Sequence, residues 1–223
     1  MLDSKVAVIK IGSNVLTQSN GLPDLDRMEH LVSQIHGLIA QGKKIVLVSS
    51  GAVAFGRQSI VLPDKLNPVF KKQIWASTGQ IKLINQYQEF FGKLKQPIAQ
   101  ILVTKEDFRD RKHFLNMKNC IEALLQQGIL PIINENDTVT ITELMFTDND
   151  ELASLTAAMI NADTLILLTN VDGIFTGNPS EPDSQLIEKV ASSMPEVSSY
   201  ISATKSSFGR GGMLTKYAMA KKS

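Results

Sequence analysis

The 223-residue sequence has little of what marks several protein classes. Its one cysteine, Cys120, permits no intrachain disulfide, which argues against a disulfide-stabilised extracellular domain. The N-terminus lacks a signal-peptide pattern, because its only apolar run, 6–11, is interrupted by Lys10. The longest later apolar stretch, 152–168, is interrupted by Asn161 and Asp163 and falls short of the roughly 18 continuous apolar residues of a membrane span. We therefore expect a cytoplasmic protein without a membrane partner.

An excess of charge of one sign is also missing. Lys and Arg number 23 against 22 Asp and Glu, which gives a net charge of +1. A dedicated duplex-binding protein needs a basic surplus to neutralise phosphates, so we expect no nucleic-acid partner. The charged residues are unevenly distributed along the chain. Residues 119–188 include Asp and Glu but no Lys or Arg, whereas most charged residues in 41–118 are Lys or Arg. This division indicates either two solvated surfaces or a segment that supplies carboxylates to a cation or an ammonium group.

The common nucleotide-binding and hydrolase motifs are absent from the sequence. It contains no Walker A motif, no G-x-G-x-x-G after the first predicted strand and no G-x-S-x-G elbow. Its three histidines fall in predicted helices without a partner at metal-ligand spacing, so we expect no zinc or other dedicated metal site. What remains is a set of glycine turns and polar clusters that directly follow predicted strands.

Short apolar runs alternate with longer segments of helical spacing. The predicted strands are 6–11, 44–48, 98–103, 129–133 and 164–168. The predicted helices are 25–39, 67–91, 113–127 and 148–161. This alternation is typical of an α/β protein with a parallel sheet covered on both faces, in which ligands bind at the carboxyl ends of the strands. The alternating pattern at 137–147 predicts a hairpin beside that edge.

Glycine turns follow the first two predicted strands, at Gly12 and at Ser50-Gly51. Glycine lets the backbone approach an anion closely, and a following helix N-terminus offers free N–H groups. A strand-to-helix turn also needs glycine for steric reasons, so the turns alone leave both interpretations open. Lys10 favours the ligand interpretation, because a lysine in an otherwise buried strand is costly unless an anion meets it.

Three further clusters place polar side chains at predicted strand or helix ends. The segment 134–137 ends one strand, and 147–151 opens a helix. In the second of these, Thr147 and Asp150 fit a capping box, so helix capping alone would explain both residues. The third, 208–216, is a glycine-rich loop that enters a helix with Lys216 one turn in. It indicates either a flexible turn or a second phosphate-binding loop.

In combination, these segments resemble the glutamate 5-kinases of the amino acid kinase superfamily. The resemblance rests on VIKIGSNVLT, VSSGAVAFGR, INENDTV, FTDND, LTNVDGIFTGNP and GRGGMLTK, and it runs from residue 5 to residue 222. It implies a three-layer αβα sandwich around a mainly parallel sheet. The single kinase domain would have an N-terminal amino-acid-binding lobe at about 1–160 and a C-terminal nucleotide-binding lobe at about 161–223. We expect the family's domain to continue past Ser223, and no PUA domain within this sequence.

The resemblance also implies roles for individual residues. Lys10 and Lys216 resemble the lysines that stabilise the transferring phosphoryl group, and Asp150 resembles the carboxylate that holds those lysines in place. The positions similar to glutamate-binding ones are Ser50, Gly51, Asn134, Asp137 and Asn149. The positions similar to ATP-binding ones are Lys10, Gly12, Thr169, Asn170, Arg210, Gly211, Gly212, Met213, Leu214, Thr215 and Lys216. Asn170 stands where the family often has Asp, which affects one nucleotide contact.

The implied reaction is ATP-dependent phosphorylation of the side-chain carboxylate of L-glutamate, the first step of proline biosynthesis. Mg²⁺ would be bound mainly through the ATP phosphates. The product, L-glutamyl 5-phosphate, is labile, which implies handover to glutamyl phosphate reductase, and we expect a homo-oligomer. Because a glutamate side-chain carboxyl has a reference pKa of about 4.3, the attacking carboxylate is already ionised at neutral pH and needs no general base.

Two alternatives to this function stay open at the level of sequence. One is a non-catalytic ligand-binding module of the same fold, against which the presence of both Lys10 and Lys216 argues. The other is a different acyl kinase, for acetylglutamate or aspartate. Asp137 bears on that alternative, because its charge suits a free α-ammonium group and suits an acetylated one poorly.

Overall fold

The computed structural model describes residues 5–139, 146, 148–176 and 181–190. The strands are β1 (Val6–Ile11), β2 (Lys44–Ser49), β3 (Ile98–Val103), β4 (Leu130–Glu135), β5 (Thr164–Leu168), β6 (Ile174–Phe175) and β7 (Leu186–Ile187). The helices are α1 (Ser13–Leu16), α2 (Leu25–Ala40), α3 (Ala52–Ser59), α4 (Pro68–Lys93), α5 (Arg111–Gln126) and α6 (Asn149–Met159), with a 3₁₀ turn at Glu106–Phe108. The predicted alternation of strands and helices is confirmed.

The first five strands form one parallel sheet in the order β3-β4-β2-β1-β5. Their carboxyl ends therefore lie at the same edge, where ligands bind in open α/β sheets. The two short strands β6 and β7 pair antiparallel in a separate sheet. Among the described helices, none is long and apolar enough to cross a membrane.

Helices cover both faces of the parallel sheet. Along β1, Ala7, Ile9 and Ile11 belong to a core shared with α2, α3 and α4. The alternate residue Val8 belongs to a second core that includes α5 and α6. Because side chains alternate along a strand, Lys10 points to the same face as Val8, toward α6. The structure thus has three layers and an α/β architecture, as predicted.

Local capping explains where the long helices begin. Asp24, Asn67 and Asp110 precede α2, α4 and α5, and each accepts a backbone N–H from the first turn of its helix. Pro68 follows Asn67 as the first residue of α4, a position where the missing N–H costs nothing. The predicted helix at 113–127 begins two residues earlier than expected, at Arg111, because Asp110 is its cap.

Close contact between α3 and α4 holds α4 beside the carboxyl edge of the sheet. A Cβ atom at Gly79 would lie 1.8 Å from the backbone oxygen of Ala52, and one at Gly56 would lie 1.9 Å from that of Trp75. Only glycine permits this approach of two helix backbones. The contact fixes the position of α4, which supplies side chains to the site described below.

Three predictions concern parts of the chain outside the described residues. The hairpin at 137–147 is described only at 137–139 and at Phe146, and the loop at 208–216 is not described. The division into lobes near residue 160 also stays a prediction, since 191–223 lies outside the described ranges.

Candidate active site

The carboxyl edge of the sheet brings together residues that are far apart in the chain. Lys10 lies near the end of β1, Ser50 follows β2, and Asn134 lies near the end of β4. The N-terminus of α6 adds Asn149 and Asp150. Because all these strands are parallel, their ends and the helix N-terminus meet at one place.

Lys10 forms a buried ion pair with Asp150. The distance between Lys10 Nζ and Asp150 Oδ1 is 2.5 Å, and the side chains are 6% and 1% exposed. A Cβ atom at Gly12 would lie 3.2 Å from Lys10 Nζ, so the glycine leaves room beside the ammonium group. The carboxylate of Asp150 thus explains how the sheet tolerates a lysine within a buried strand.

Asp148, and not Asp150, is the N-cap of α6. Its Oδ1 accepts backbone N–H groups from Asp150 at 2.9 Å and from Glu151 at 3.1 Å. The interpretation of Asp150 as a mere cap is therefore wrong, because its carboxylate contacts Lys10 instead. Thr147, the other half of the predicted capping box, lies outside the described residues.

A second carboxylate, that of Asp148, lies beside the buried ion pair. Burial and the neighbouring charge of Asp150 raise the pKa of Asp148, while the N–H of Glu151 and the charge of Lys10 oppose the rise. Within the described part of the chain, Asp148 Oδ2 is buried without a hydrogen-bond partner. The carboxylate of Asp148 thus feels both the negative charge of Asp150 and the positive charge of Lys10.

A hydrogen-bonded network of polar side chains connects four elements beside this cluster. Asn149 Nδ2 donates to Ser50 Oγ at 2.7 Å and to Asn134 Oδ1 at 3.0 Å. Asn134 Nδ2 donates in turn to Gln80 Oε1 of α4 at 2.8 Å. These bonds fix the orientations of both asparagine amides at the carboxyl edge of the sheet.

The turn after β2 has the geometry predicted for a close backbone approach. Gly51 has a φ of 111°, in the left-handed region that favours glycine, and it precedes the first turn of α3. Just before it, the Ser49 Oγ and Tyr87 hydroxyl oxygens lie 2.8 Å apart in the core. Burial raises the pKa of Tyr87 well above its usual range, so this hydroxyl stays neutral and ties β2 to α4.

Asp137 lies just after β4 and forms an ion pair with Lys72 of α4. Next to this pair is a cavity of about 260 Å³, formed by α4, β3 and the end of β4. It is smaller than the about 300–1,000 Å³ typical of sites for drug-sized ligands, which suits a small metabolite. Its lining residues include Ala76, Ser77, Gln80, Gln100, Leu102, Glu135, Asn136, Asp137 and Thr138.

The predicted nucleotide-binding residues are described only in part. Thr169 follows β5 and is half-buried, and its predecessor Leu168 pairs with Ile11 in β1. Asn170 is exposed. The segment from Arg210 to Lys216 lies outside the described residues, so its contacts stay predictions. Across the described ranges, no three His, Cys, Asp or Glu side chains are grouped so that they could hold a metal ion.

Sequence reasoning missed three residues that the structure places at this edge: Lys72, Gln80 and Asp148. The first two, together with Ala76, recur every four residues and so lie on one face of α4, a periodicity visible in the sequence. Asp148 stands two residues before Asp150, where a second carboxylate at a helix start is a capping signal. The contacts across the fold had no local signal.

Residues 5–222 match the amino acid kinase family. The chain is 50% identical over 214 residues to the glutamate 5-kinase of Bacteroides thetaiotaomicron, across 96% of this chain and 59% of that protein. It is 52% identical over 219 residues to the glutamate 5-kinase of Chlorobaculum tepidum, with the same two coverages. The chain thus spans about three-fifths of the length of these curated relatives.

A solved structure shows the same fold. The carbamate kinase from Giardia lamblia bound to AMP-PNP superposes with a TM-score of 0.58 at 15% identity, across 84% of this chain and 80% of that one. At this identity the likeness bears on architecture alone. It agrees with the three layers and parallel sheet described above.

Proposed function

This chain belongs to the amino acid kinase family, and from that membership we propose that it acts as a glutamate 5-kinase. The proposed reaction is ATP-dependent phosphorylation of the side-chain carboxylate of L-glutamate, which gives L-glutamyl 5-phosphate for proline biosynthesis. The observation that carries the proposal is the buried Lys10–Asp150 pair beside the polar network at the carboxyl edge. The relatives of 50% and 52% identity support the choice of glutamate.

The residues around the network suit a free amino acid. Ser50, Gly51, Asn134 and Asn149 would bind glutamate through amide, hydroxyl and backbone groups, and these neutral groups can meet a carboxylate without an added charge. Asp137 would bind the α-ammonium group. This assignment favours glutamate over acetylglutamate, because an acetylated nitrogen carries no charge to pair with a carboxylate.

The chemistry needs positioning and charge more than proton transfer. The side-chain carboxylate is ionised at neutral pH, and one of its oxygens attacks the γ-phosphorus of ATP. A phosphorus–oxygen bond forms to the carboxylate, the bond to the bridging oxygen breaks, and ADP leaves with that electron pair. Lys10 and Lys216 would stabilise the charge on the transferring phosphoryl oxygens. Asp150 would orient them.

The residues proposed for ATP are Lys10, Gly12, Thr169, Asn170 and the segment 210–216. The room that Gly12 leaves beside the ammonium of Lys10 fits phosphate oxygens. Mg²⁺ carried on the ATP phosphates would neutralise part of their charge. The acyl phosphate product reacts with water, which supports its handover to glutamyl phosphate reductase. The cytoplasmic location and the homo-oligomeric state stay predictions.

A steady-state assay of ADP formation with L-glutamate, N-acetyl-L-glutamate and L-aspartate tests the proposal. We expect turnover with L-glutamate and a much lower kcat/KM with the other two. Preference for the acetylated substrate would identify a different acyl kinase. Glutamate binding without ADP formation would identify a non-catalytic binding module.

A further inference from the structure

The carboxylate proposed for the substrate's ammonium group already has an ammonium partner within the protein. Lys72 Nζ donates a hydrogen bond to Asp137 Oδ1. The Lys72 and Asp137 side chains are 30% and 13% exposed, and Asp137 lines the cavity, so the pair is partly buried beside that cavity. A substrate ammonium that binds Asp137 must compete with Lys72 or share the carboxylate with it.

We propose that Lys72 is a specificity-determining residue that binds the α-carboxylate of the amino-acid substrate while Asp137 binds its α-ammonium. This inference rests on the function proposed above. It gives a charged partner, Lys72, to the α-carboxylate, the one charged group of glutamate that the other site residues leave without one. Lys72 and Asp137 together recognise the zwitterionic head of a free α-amino acid.

Conservation of charge supports this assignment. Without substrate, the Lys72–Asp137 pair has no net charge. The α-ammonium and α-carboxylate groups of an amino acid, which share one carbon, also have no net charge together. Insertion of that head replaces one ion pair by two, so neither protein charge loses its partner. If Lys72 were merely displaced, a partly buried ammonium group would be left uncompensated, at a cost in binding.

The position of Lys72 on α4 also supports the assignment. Lys72, Ala76 and Gln80 follow one another at intervals of four residues, so they lie on one face of the helix. Ala76 and Gln80 line the cavity of about 260 Å³, and Asp137 lines it as well. Gln80 holds Asn134 at one end of this row, and Lys72 holds Asp137 at the other. Lys72 therefore adjoins the cavity through Asp137, on the helix face whose Ala76 and Gln80 line it.

Rigid backbone and a flexible side chain make the exchange feasible. The contact at Gly79 against α3 fixes the helix that carries Lys72. The lysine side chain itself has four methylene groups and three rotatable donors, so its ammonium can turn from Asp137 to a neighbouring carboxylate without movement of the helix.

The test compares two substrates in wild-type enzyme and in Lys72→Met. L-Glutamate is measured against its α-carboxamide, which keeps the reacting side-chain carboxylate and the α-ammonium but has no α-carboxylate charge. We expect wild-type kcat/KM to be about 10²-fold higher for glutamate than for the amide. In Lys72→Met, kcat/KM for glutamate falls about 10²-fold while that for the amide stays within about 3-fold, so the discrimination is lost. The KM for ATP stays unchanged.

Two further variants serve as controls. Lys71→Met removes a lysine from the adjacent position, where Nζ donates to the backbone oxygen of Asp64 at 3.0 Å, and it keeps the discrimination. Lys72→Arg retains the charge and restores part of the preference for glutamate. If Lys72→Met does not fold, Lys72→Arg is the test. The different geometry of the guanidinium group should raise the KM for glutamate and leave the KM for the amide unchanged.

Several results overturn the inference. Equal losses with both substrates show a structural role for Lys72, and a lower glutamate KM in Lys72→Met shows a competing cation that is simply displaced. Preserved discrimination in Lys72→Met shows that another group binds the α-carboxylate. In all three cases wild-type turnover of glutamate upholds the proposed function. If the wild-type protein does not phosphorylate glutamate, the proposed function fails, and the inference fails with it.

Discussion

Replacement of Asp150 by Asn separates its proposed positioning role from helix capping. Asn keeps the size of the side chain and its hydrogen-bonding reach but removes the negative charge that faces Lys10 at 2.5 Å. The cap of α6 stays intact, because Asp148 supplies it. A large effect of Asp150→Asn therefore does not come from loss of the helix cap.

The magnitude follows from the burial of both partners. Removal of one member of a buried ion pair costs about 3–5 kcal/mol. Asp148 remains near Lys10 and compensates part of the loss, so we expect a decrease of about 2–4 kcal/mol in the free energy of unfolding. For a chain of this size that corresponds to a Tm lower by about 5–15 °C. Turnover should fall by about 10²-fold or more, since Lys10 is no longer held toward the transferring group.

The assay measures thermal unfolding and kcat on the same preparation. Asp26→Asn is a matched control, because Asp26 is also the second residue of its helix, α2, but is exposed. We expect its Tm and kcat to match the wild type. An Asp150→Asn protein with a Tm within about 2 °C of the control and near-native turnover would refute the reasoning. A lower Tm with unchanged kcat would restrict Asp150 to a structural role.

Four further predictions concern single residues. Lys10→Ala should lower kcat by about 10²-fold or more and leave the glutamate KM within a few-fold, because the charge of Lys10 acts mainly in the transition state. Steady-state kinetics measures both constants, and an unchanged kcat would refute the proposed role of Lys10 in phosphoryl transfer. Asp137→Asn should raise the KM for glutamate far more than that for ATP, and equal effects would indicate a folding defect. Burial and the charge of Asp150 raise the pKa of Asp148, so ionisation of this carboxyl lowers the stability of the folded protein as pH rises through and above the usual aspartate range. The Tm of Asp148→Asn minus that of the wild type should therefore increase over that range, and a difference that is independent of pH would contradict this. Gly79→Ala should lower Tm sharply or prevent folding, because its Cβ would lie 1.8 Å from Ala52 O, whereas Gly92→Ala in the same helix meets open space and should not lower Tm.

Local patterns in the sequence predicted the elements of the fold. The strand bounds 6–11, 98–103 and 164–168 agree with β1, β3 and β5, because each of these strands is a short, mostly aliphatic or β-branched run. Helical spacing placed α2, α4, α5 and α6 within about two residues of their observed ends, and the difference at the start of α5 follows from the capping side chain of Asp110. Lys10 stood out for a related reason, since a charge in such a run requires a partner.

The sequence alone determined the kinds of elements, their order and the presence of an unusual lysine, because each depends on neighbours along the chain. Only the tertiary structure decided which side chains meet. It paired Lys72 with Asp137 and Gln80 with Asn134 across large sequence separations, and it showed the contact between Lys10 and Asp150 that the family resemblance had implied. Such contacts depend on strand order and on the face from which each side chain projects, and local periodicity does not encode the partner. The same reason explains why the sequence left helix capping open for Asp150, because its contact with Lys10 depends on the strand that lies next to α6.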